Sequence, residues 1–350
     1  MERQHVFITG GAGFIGTNVA YSYLENDQPV HILDNLSRPG GERNIADLFA
    51  RFPGRVEFTR ADIRDKSSVV TGVRSARAVY HLAAQVAVTT SLNDPIADAD
   101  TNLLGTLNLL EAIRKTPSRP PLLFTSTNKV YGSLSGIPLC ERAARYEPRD
   151  TLARAGVGET QSLEFLSPYG CSKGSADQYV LDYARSFGLH ATVFRMSCIY
   201  GPHQLGSEDQ GWVAHFLRQA LKGESIKIFG DGKQVRDLLH VKDLVRAMHT
   251  ALDRRSESTA EAFNIGGGAE NSASLLEVIS QIKMLTRSSP RVEWDVERRG
   301  DQKWYVSDIS KATRILGWRP EISVRQGLSN LLDWYSNHPE LVSQSDMQVA

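Results

Sequence analysis

Tyr169 and Lys173 stand four residues apart in Tyr169-Gly170-Cys171-Ser172-Lys173, a spacing that puts a phenol and an ammonium on one face of a helix. A cation beside a phenol favours the phenolate, which lowers its pKa toward general-base work near neutral pH. The spacing alone is common on protein surfaces, so its weight comes from position. It follows a strand ending Thr125-Ser126-Thr127-Asn128-Lys129-Val130-Tyr131-Gly132, where hydroxyls cluster. A second constellation lies near the start, in Thr9-Gly10-Gly11-Ala12-Gly13-Phe14-Ile15-Gly16. Gly10 allows a tight turn, Gly13 lets backbone N–H groups approach a pyrophosphate, and Gly16 permits close helix packing, while the helix N-terminus attracts the anion. Asp34 ends the next β-branched run, where a carboxylate accepts from both ribose hydroxyls and repels a 2′-phosphate. NAD is therefore expected over NADP. Arg38 either swings toward a 2′-phosphate or is an adenine-stacking or surface cation. Asp62 either reads the adenine amino group or is a surface carboxylate or helix cap.

These groups need a sheet behind them. From residue 5 to about 200, short β-branched runs alternate with segments of helical period. The pattern predicts strands over 6–9, 30–34, 56–61, 78–82, 122–126 and 192–196, and helices over 14–26, 99–114 and 168–187. Right-handed crossovers then give an α/β fold, a Rossmann-type doubly wound parallel sheet. After Gly201, helices over 212–222, 241–253, 274–285 and 324–335 with brief strands such as 226–229 predict a smaller α/β substrate lobe. The expected division is a cofactor domain over 1–200 that holds Thr127, Tyr169 and Lys173, a second lobe over 201–340, and a flexible tail over 341–350. Residues 133–166, rich in Gly, Pro and charge, read either as a functional flap or as a solvated insertion.

Composition narrows the function classes. The 350 residues carry 40 Lys plus Arg against 40 Asp plus Glu, a formal charge of zero, which argues against the basic face of a nucleic-acid binder. Hydrophobic residues at 41% and charged ones at 23% exclude a disordered or fibrous chain. Cys140, Cys171 and Cys198 are odd in number and lack CxxC spacing, so no metal site is expected and a reduced, cytoplasmic chain is. Met1-Glu2-Arg3-Gln4 runs directly into the first strand and no apolar run is long enough to span a bilayer, so neither a signal peptide nor a membrane partner is expected.

Together, the glycine loop, Asp34, the hydroxyl-rich strand end, Tyr169 and Lys173 resemble the extended short-chain dehydrogenase/reductases acting on nucleotide sugars, over roughly residues 5–335. The resemblance implies that Thr127 bonds the substrate hydroxyl, Tyr169 removes its proton and Lys173 holds the nicotinamide ribose while hydride passes to NAD. It implies further NAD contacts from Phe14, Ile15, Asn35, Ser37, Arg38, Asp62 and Ile63 on the first strands. Leu82, Ala83, Ala84, Gln85, Asn102 and Thr125 would line the rest of the cofactor. Sugar 4,6-dehydratases of this family carry an Asp-Glu pair directly after the Thr. Here Asn128 and Lys129 follow, and an amide cannot donate a carboxyl proton, so dehydration is disfavoured.

Four runs in order resemble the family's epimerases that invert carbon 2 of a CDP-linked dideoxyhexose: 127–132, 167–173, 209–213 and 232–237. That likeness implies a transient 2-keto sugar that turns and takes hydride back on its other face, with NAD tightly held and recycled. Asn128 and Lys129 are then contacts to the inverted centre, or a structural turn. Arg236 and Arg298 are the expected diphosphate cations, and Gln210 and Trp212 the expected sugar contacts, with Trp212 otherwise core. Tyr305 lies near the nucleotide or is a packed aromatic. His81 reads as a satisfied core histidine and Cys171 as inert packing. Met196 and Leu166 depart from the pattern, being apolar where histidines are expected. Two rivals remain: a 4-epimerase of UDP-hexose type using Thr127, Tyr169 and Lys173 on carbon 4, and an NAD-sensing binding protein without turnover, against which the intact trio argues. The helices over 168–187 and 99–114 are expected to pair between chains in a homodimer or homotetramer. Val180, Tyr183, Ala184 and Phe187 would supply the apolar surface, or be buried within one chain.

Overall fold

Strands of Val, Ile, Leu and Phe buried on both faces form the centre of the molecule, as a parallel sheet covered by helices on each side requires. The computed structural model describes residues 4–298 and 301–343. In the first half, β1 (His5–Thr9), α1 (Phe14–Leu24), β2 (Val30–Asp34), α2 (Gly41–Arg51), β3 (Val56–Arg60), α3 (Lys66–Arg74) and β4 (Ala76–His81) alternate. Then α4 (Val88–Asn93), α5 (Pro95–Ala99), one π-helical turn (Asp100–Leu104) and α6 (Gly105–Lys115) lead into β5 (Leu122–Thr127). A small hairpin of β6 (Leu139–Glu141) and β7 (Tyr146–Pro148) precedes α7 (Pro168–Phe187) and β8 (Ala191–Met196). The second half holds β9 (Cys198–Tyr200), α8 (Trp212–Lys222), β10 (Ile226–Phe229), β11 (Val235–His240), α9 (Val241–Asp253), α10 (Arg255–Ser258) and β12 (Ala262–Ile265). It ends with β13 (Ser272–Ser274), α11 (Leu275–Thr286), β14 (Val292–Asp295), β15 (Trp304–Tyr305), α12 (Ser310–Leu316), α13 (Val324–Ser336) and α14 (Pro339–Ser343).

The main sheet runs β12-β8-β5-β4-β1-β2-β3, all parallel. Its strand order reverses between β1 and β4, and the crevice beyond the carboxyl ends of such strands is where ligands of doubly wound folds bind. Thr9, His81 and Thr127 close those strands. The predicted strands match to within two residues, whereas α2 and α3 have no counterpart in the sequence reading.

The division at residue 200 does not hold along the chain. β12 is the seventh strand of the first sheet, and α9 and α12 pack on that sheet's core through Leu244, Met248, Ala312 and Leu316. Paired on one side only, β8 would be an exposed edge, so the sheet takes a strand from beyond residue 260 to cover it. The second lobe has its own core of α8, α11 and α13 around Phe216, Leu217, Ile279, Leu328 and Leu331. Leu341, expected in a flexible tail, is buried in that core, and residues 344–350 lie outside the described residues.

Residues 133–166 are not a loose solvated insertion but run as a strap tied at several points. Val157 N–H donates to Val306 O at 2.7 Å, Glu164 N–H to Val130 O at 2.9 Å and Tyr146 N–H to Lys233 O at 3.0 Å. Leu134 and Val157 are buried with Tyr131, Val235, Trp304 and Tyr305 in a small core between the catalytic strand end and the second lobe. No helix among the described residues is long and apolar enough to cross a membrane.

Candidate active site

The glycine loop is built as its residue types require. Gly10 has φ 71°, and a Cβ there would lie 2.5 Å from the backbone N of Ala83. A Cβ on Gly16 would strike the Gly10 carbonyl, so α1 can only sit this close to the turn with glycine at both places. Gly13 is the N-cap of α1, no side chain among the described residues caps that end, and its first turn carries no acid. Its backbone N–H groups therefore offer an anion site. Asp34 is half-buried at the end of β2, where its carboxylate accepts from Ala12 N at 3.0 Å and Leu36 N at 2.8 Å. Burial pushes this carboxyl up and those two bonds pull it down. A glycine cradle at a bare helix terminus, with a braced carboxylate one strand away, fits the dinucleotide NAD.

Around this core the expected contacts divide. Asn35 donates to Asp62 at 3.0 Å, and Arg64 grips the same carboxylate at 2.8 and 2.9 Å. The Arg64 bonds come first among the causes that hold Asp62 near about 2, so it stands as an ion-paired surface carboxylate. Ser37 N–H is turned onto Asn35 Oδ1, and Arg38 is half-buried facing the charge of Asp209. Phe14 and Ile15 pack partly against the sheet core. The Ile63 side chain is buried under Gly105.

Leu82, Ala83 and Ala84 form the half-buried loop leaving β4. His81 is buried, with Thr9 Oγ1 at 2.7 Å and Thr106 Oγ1 at 3.0 Å on its two ring nitrogens. Burial first, then Lys173, lowers it to about 3, which makes it the satisfied neutral core histidine expected. Asn102 is a clamp. It accepts from Gln85 N at 2.9 Å and donates to Gln85 O at 3.0 Å, to Asp98 at 3.2 Å and to Ser172 at 3.1 Å.

Ser167 caps α7 by accepting from Gly170 N at 3.0 Å, and Pro168 occupies the first turn, so the Ser-Pro pair fixes where the helix begins. That start places the Tyr169 phenol beside the Thr127 hydroxyl. Thr127 also caps the 3-10 turn Asn128–Tyr131 through Lys129 N at 3.2 Å, and lies 3.4 Å from Asn128 Oδ1. Thr125, two residues earlier, donates to His81 O at 3.1 Å. Lys173 is buried, with its Nζ 4.3 Å from the centre of the Phe124 ring.

The expected lowering of the phenol by Lys173 is not what these side chains give. Burial pushes Tyr169 up to about 12, against the pull of the Thr127 hydroxyl, and Asp98 adds to the rise. Lys173 is itself brought down to about 7 by burial, while Asp177 and Asp98 hold it up. Desolvation penalises both charged forms at once.

Beyond the strand end lie the second lobe's groups. Arg236 donates to Asp301 at 2.6 Å, and Lys129 Nζ is 3.6 Å from the same oxygen. Burial and the Arg236 charge lower Lys129 to about 8, while Asp301 raises it. Arg298 lies 3.9 Å over the Phe229 ring and pairs with Asp209 at 3.0 Å. A cavity of about 110 Å³ opens beside Asp301, lined by Tyr146, Asp231, Gln234, Glu297 and Gln302. The Gln234 and Gln302 amide oxygens have no hydrogen-bond partner among the described residues.

Gln210 donates to Val86 O, which ties the second lobe to the loop after β4. Trp212 opens α8, half-buried and edge-on to Phe216 at 5.3 Å, near the Cys198 thiol, which burial pushes up to about 12. Tyr305 is fully buried and stacked on Tyr131, so it takes the packed-aromatic reading. Met196 pairs with Thr127 across β8 and β5 and so borders the site, whereas Leu166 is half-exposed before α7. Cys171 is exposed on α7 and not packed.

Two buried sets escaped the sequence reading. Asp98 and Ser172 lock α5 to α7, and Asp177 pairs in two bonds with Arg195, which also donates to Tyr131 at 3.2 Å. Asp177 lies four residues after Lys173 on the same helical face, the one sequence signal that pointed inward.

Comparison with known proteins extends the picture. The family described as GDP-mannose 4,6 dehydratase matches residues 7–331. CDP-paratose 2-epimerase of Salmonella typhi is 42% identical over 339 residues, covering 95% of this chain and 99% of that one. A putative UDP-glucose 4-epimerase of Methanocaldococcus jannaschii is 34% identical over 334 residues, with the same two coverages of 95% and 99%. Among solved structures, UDP-glucose 4-epimerase of Thermotoga maritima with UDP-glucose has a TM-score of 0.81 at 31% identity, over 96% of this chain and 99% of that one. The Thermus thermophilus UDP-glucose 4-epimerase complex with NAD gives 0.78 at 32%, over 95% and 99%.

Proposed function

The chain belongs to the GDP-mannose 4,6 dehydratase family within the extended short-chain dehydrogenase/reductases, NAD-dependent epimerases and dehydratases of nucleotide sugars, and we propose that it inverts carbon 2 of a CDP-linked dideoxyhexose, CDP-paratose to CDP-tyvelose. The observation that carries this reading is the strand end: Thr127 is followed by Asn128 and Lys129, with the ammonium turned onto Asp301. A dehydratase needs an acid and a base in addition to the tyrosine. An epimerase needs one group that takes a proton and returns it. The 42% identity to the Salmonella typhi 2-epimerase supports carbon 2. The cavity beside Asp301 is lined by Asp231 and Glu297 and also by Lys303, so it offers a nucleotide both acceptors and a cation.

The glycine loop and Asp34 would hold NAD, which would supply a reversible hydride acceptor for the sugar. The chain's own work is proton handling and grip. Thr127 orients the sugar hydroxyl beside the Tyr169 phenol, which removes the proton and later restores it. Lys173, four residues on along α7, would hold the nicotinamide ribose, and its ammonium, when charged, favours the phenolate. Arg236, Arg298 and Lys129 hold the diphosphate, leaving the sugar to turn between two hydride transfers.

Proton NMR of the purified protein with CDP-paratose in deuterium oxide tests this reading. The carbon 2 epimer is expected to appear without deuterium at carbon 2. Inversion with deuterium incorporated would overturn the redox route, and conversion of UDP-hexoses at carbon 4 instead would establish the 4-epimerase reading favoured by the solved neighbours.

Lys129 gives this site a pH dependence. Its ammonium is charged below about 8 and discharged above, so its attraction for a diphosphate is present at pH 7 and lost as pH rises. Calorimetric titration with CDP should show affinity roughly tenfold weaker at pH 9.5 than at pH 7, the size of one charge-assisted bond. The Lys129→Met variant should lose most of that difference.

A homodimer, or a homotetramer built from it, is supported by apolar surface. Leu104 on the π-helical turn and Tyr179 and Phe187 on α7 remain exposed, while Val180 and Ala184 are buried within the chain and Tyr183 bonds Glu111 at 3.0 Å. A cytoplasmic setting fits the three free cysteines.

A further inference from the structure

We propose that Asp98 is the carboxylate that keeps Lys173 charged inside the site, a positioning residue that acts from α5 on the catalytic pair without touching substrate. The inference rests on the catalytic role given to Lys173 above. Asp98 is 1% exposed, yet its partners are all neutral: Ser172 Oγ at 2.5 Å on one oxygen, Gln85 Nε2 at 2.8 Å and Asn102 Nδ2 at 3.2 Å on the other. No cation among the described residues forms an ion pair with it. Lys173 is equally buried and equally without a direct carboxylate partner among the described residues.

The groups facing Lys173 can be counted from each element packed against it. From its own helix comes Asp177, from β4 the neutral His81, and from α5 Asp98. Arg195 consumes Asp177 in a two-point bond at 2.9 and 3.0 Å. Two buried cations and two buried carboxylates then balance only if Asp98 is the counter-charge of Lys173, and a buried charge without one is strongly disfavoured. Burial pushes the Asp98 carboxyl up, while the Ser172 and Gln85 bonds and the Lys173 charge pull it down; Asp177 first and then Asp98 hold Lys173 up.

Ser172, the neighbour of Lys173 in the chain, is the mechanical tie. It donates to Asp98 and lies 3.2 Å from the Tyr169 carbonyl, while Tyr169 N–H donates to Ser91 at 3.1 Å. The first turn of α7 is thus pinned from the α4–α5 side.

The Asp98→Asn variant removes the charge and keeps the shape. Its oxygen can still accept from Gln85 and Asn102, and its amide can donate to Ser172 while the Ser172 hydroxyl turns to the Tyr169 carbonyl. Spectra of protein labelled with [ε-13C]lysine, assigned with Lys173→Arg, read the Lys173 titration without any turnover. The midpoint is expected to fall by about one unit, and kcat at pH 7 by about fivefold, with KM unchanged and the high-pH limb displaced downward. An unchanged midpoint would overturn the proposal. Ser172→Ala leaves the carboxylate and cuts the tie; a midpoint that falls as far in this variant would assign the effect to geometry and overturn it equally. Because the midpoint needs no substrate, failure of the epimerase reading shows as absent turnover in the wild type and leaves this test intact.

Discussion

Replacing Tyr169 by Phe is expected to lower kcat by about three orders of magnitude while the protein stays folded and keeps its nicotinamide cofactor. The phenol ring is 9% exposed and packs on α7 beside Thr127, contacts that phenylalanine preserves. Only the hydroxyl is lost. That hydroxyl lies beside Thr127 where a strand end, a helix and the crevice meet, and no carboxylate follows Thr127 to take over its proton. The measurement is single-turnover epimerisation alongside the absorbance of bound cofactor. Turnover at the wild-type rate would remove Tyr169 from the mechanism, and loss of cofactor together with activity would make its role structural.

The second large effect is on stability. Arg195→Met should cost about 3–5 kcal/mol, because it strands the buried carboxylate of Asp177 and takes a donor from the Tyr131 hydroxyl. Asp177 is fully buried and Arg195 nearly so, hence water cannot step in for the missing partner. The Asp177→Asn, Arg195→Met double variant should recover part of that loss, since no unpaired charge remains. Urea unfolding followed by circular dichroism reads both, and a single variant as stable as wild type would mean that Asp177 is neutral in the fold. Placed between α7 and β8, this pair also holds the catalytic helix to the sheet.

Much of the fold was legible because its elements carry their signals locally. The bounds of α7, α8, α9 and β10 match the predicted spans, set by Ser167-Pro168 at one start, Gly211 and Gly223 around α8, and clean apolar periodicity. α2 and α3 escaped because only a few of their residues are buried, Ile45 and Leu48 in one, Val69 and Val73 in the other, so the apolar stripe is narrow. The glycine loop and the Thr127, Tyr169 and Lys173 trio could be read because glycine freedom and i, i+4 spacing are written in adjacent residues. Asp98 could not, since its meaning depends on Ser172, 74 positions away. Nor could Tyr305, whose burial depends on the strap over 133–166. The same holds for the pairing of Arg236 and Lys129 on Asp301, three residues from three separate elements.

That β12 comes from beyond residue 260 also sets a timetable for folding. While the protein is being made, the first two hundred residues can form the glycine loop and the strands through β8, but β8 keeps a bare edge and Phe194 lacks the cover of Phe263. Synthesis of the next stretch takes some seconds at about 5–20 residues per second. During that interval the nascent sheet is open to other chains, and a fragment ending near residue 200 would carry the same open edge permanently. The cofactor half is therefore not a portable module: its last strand is delivered only after much of the substrate lobe has been translated, which couples the two halves in birth as they are coupled in use.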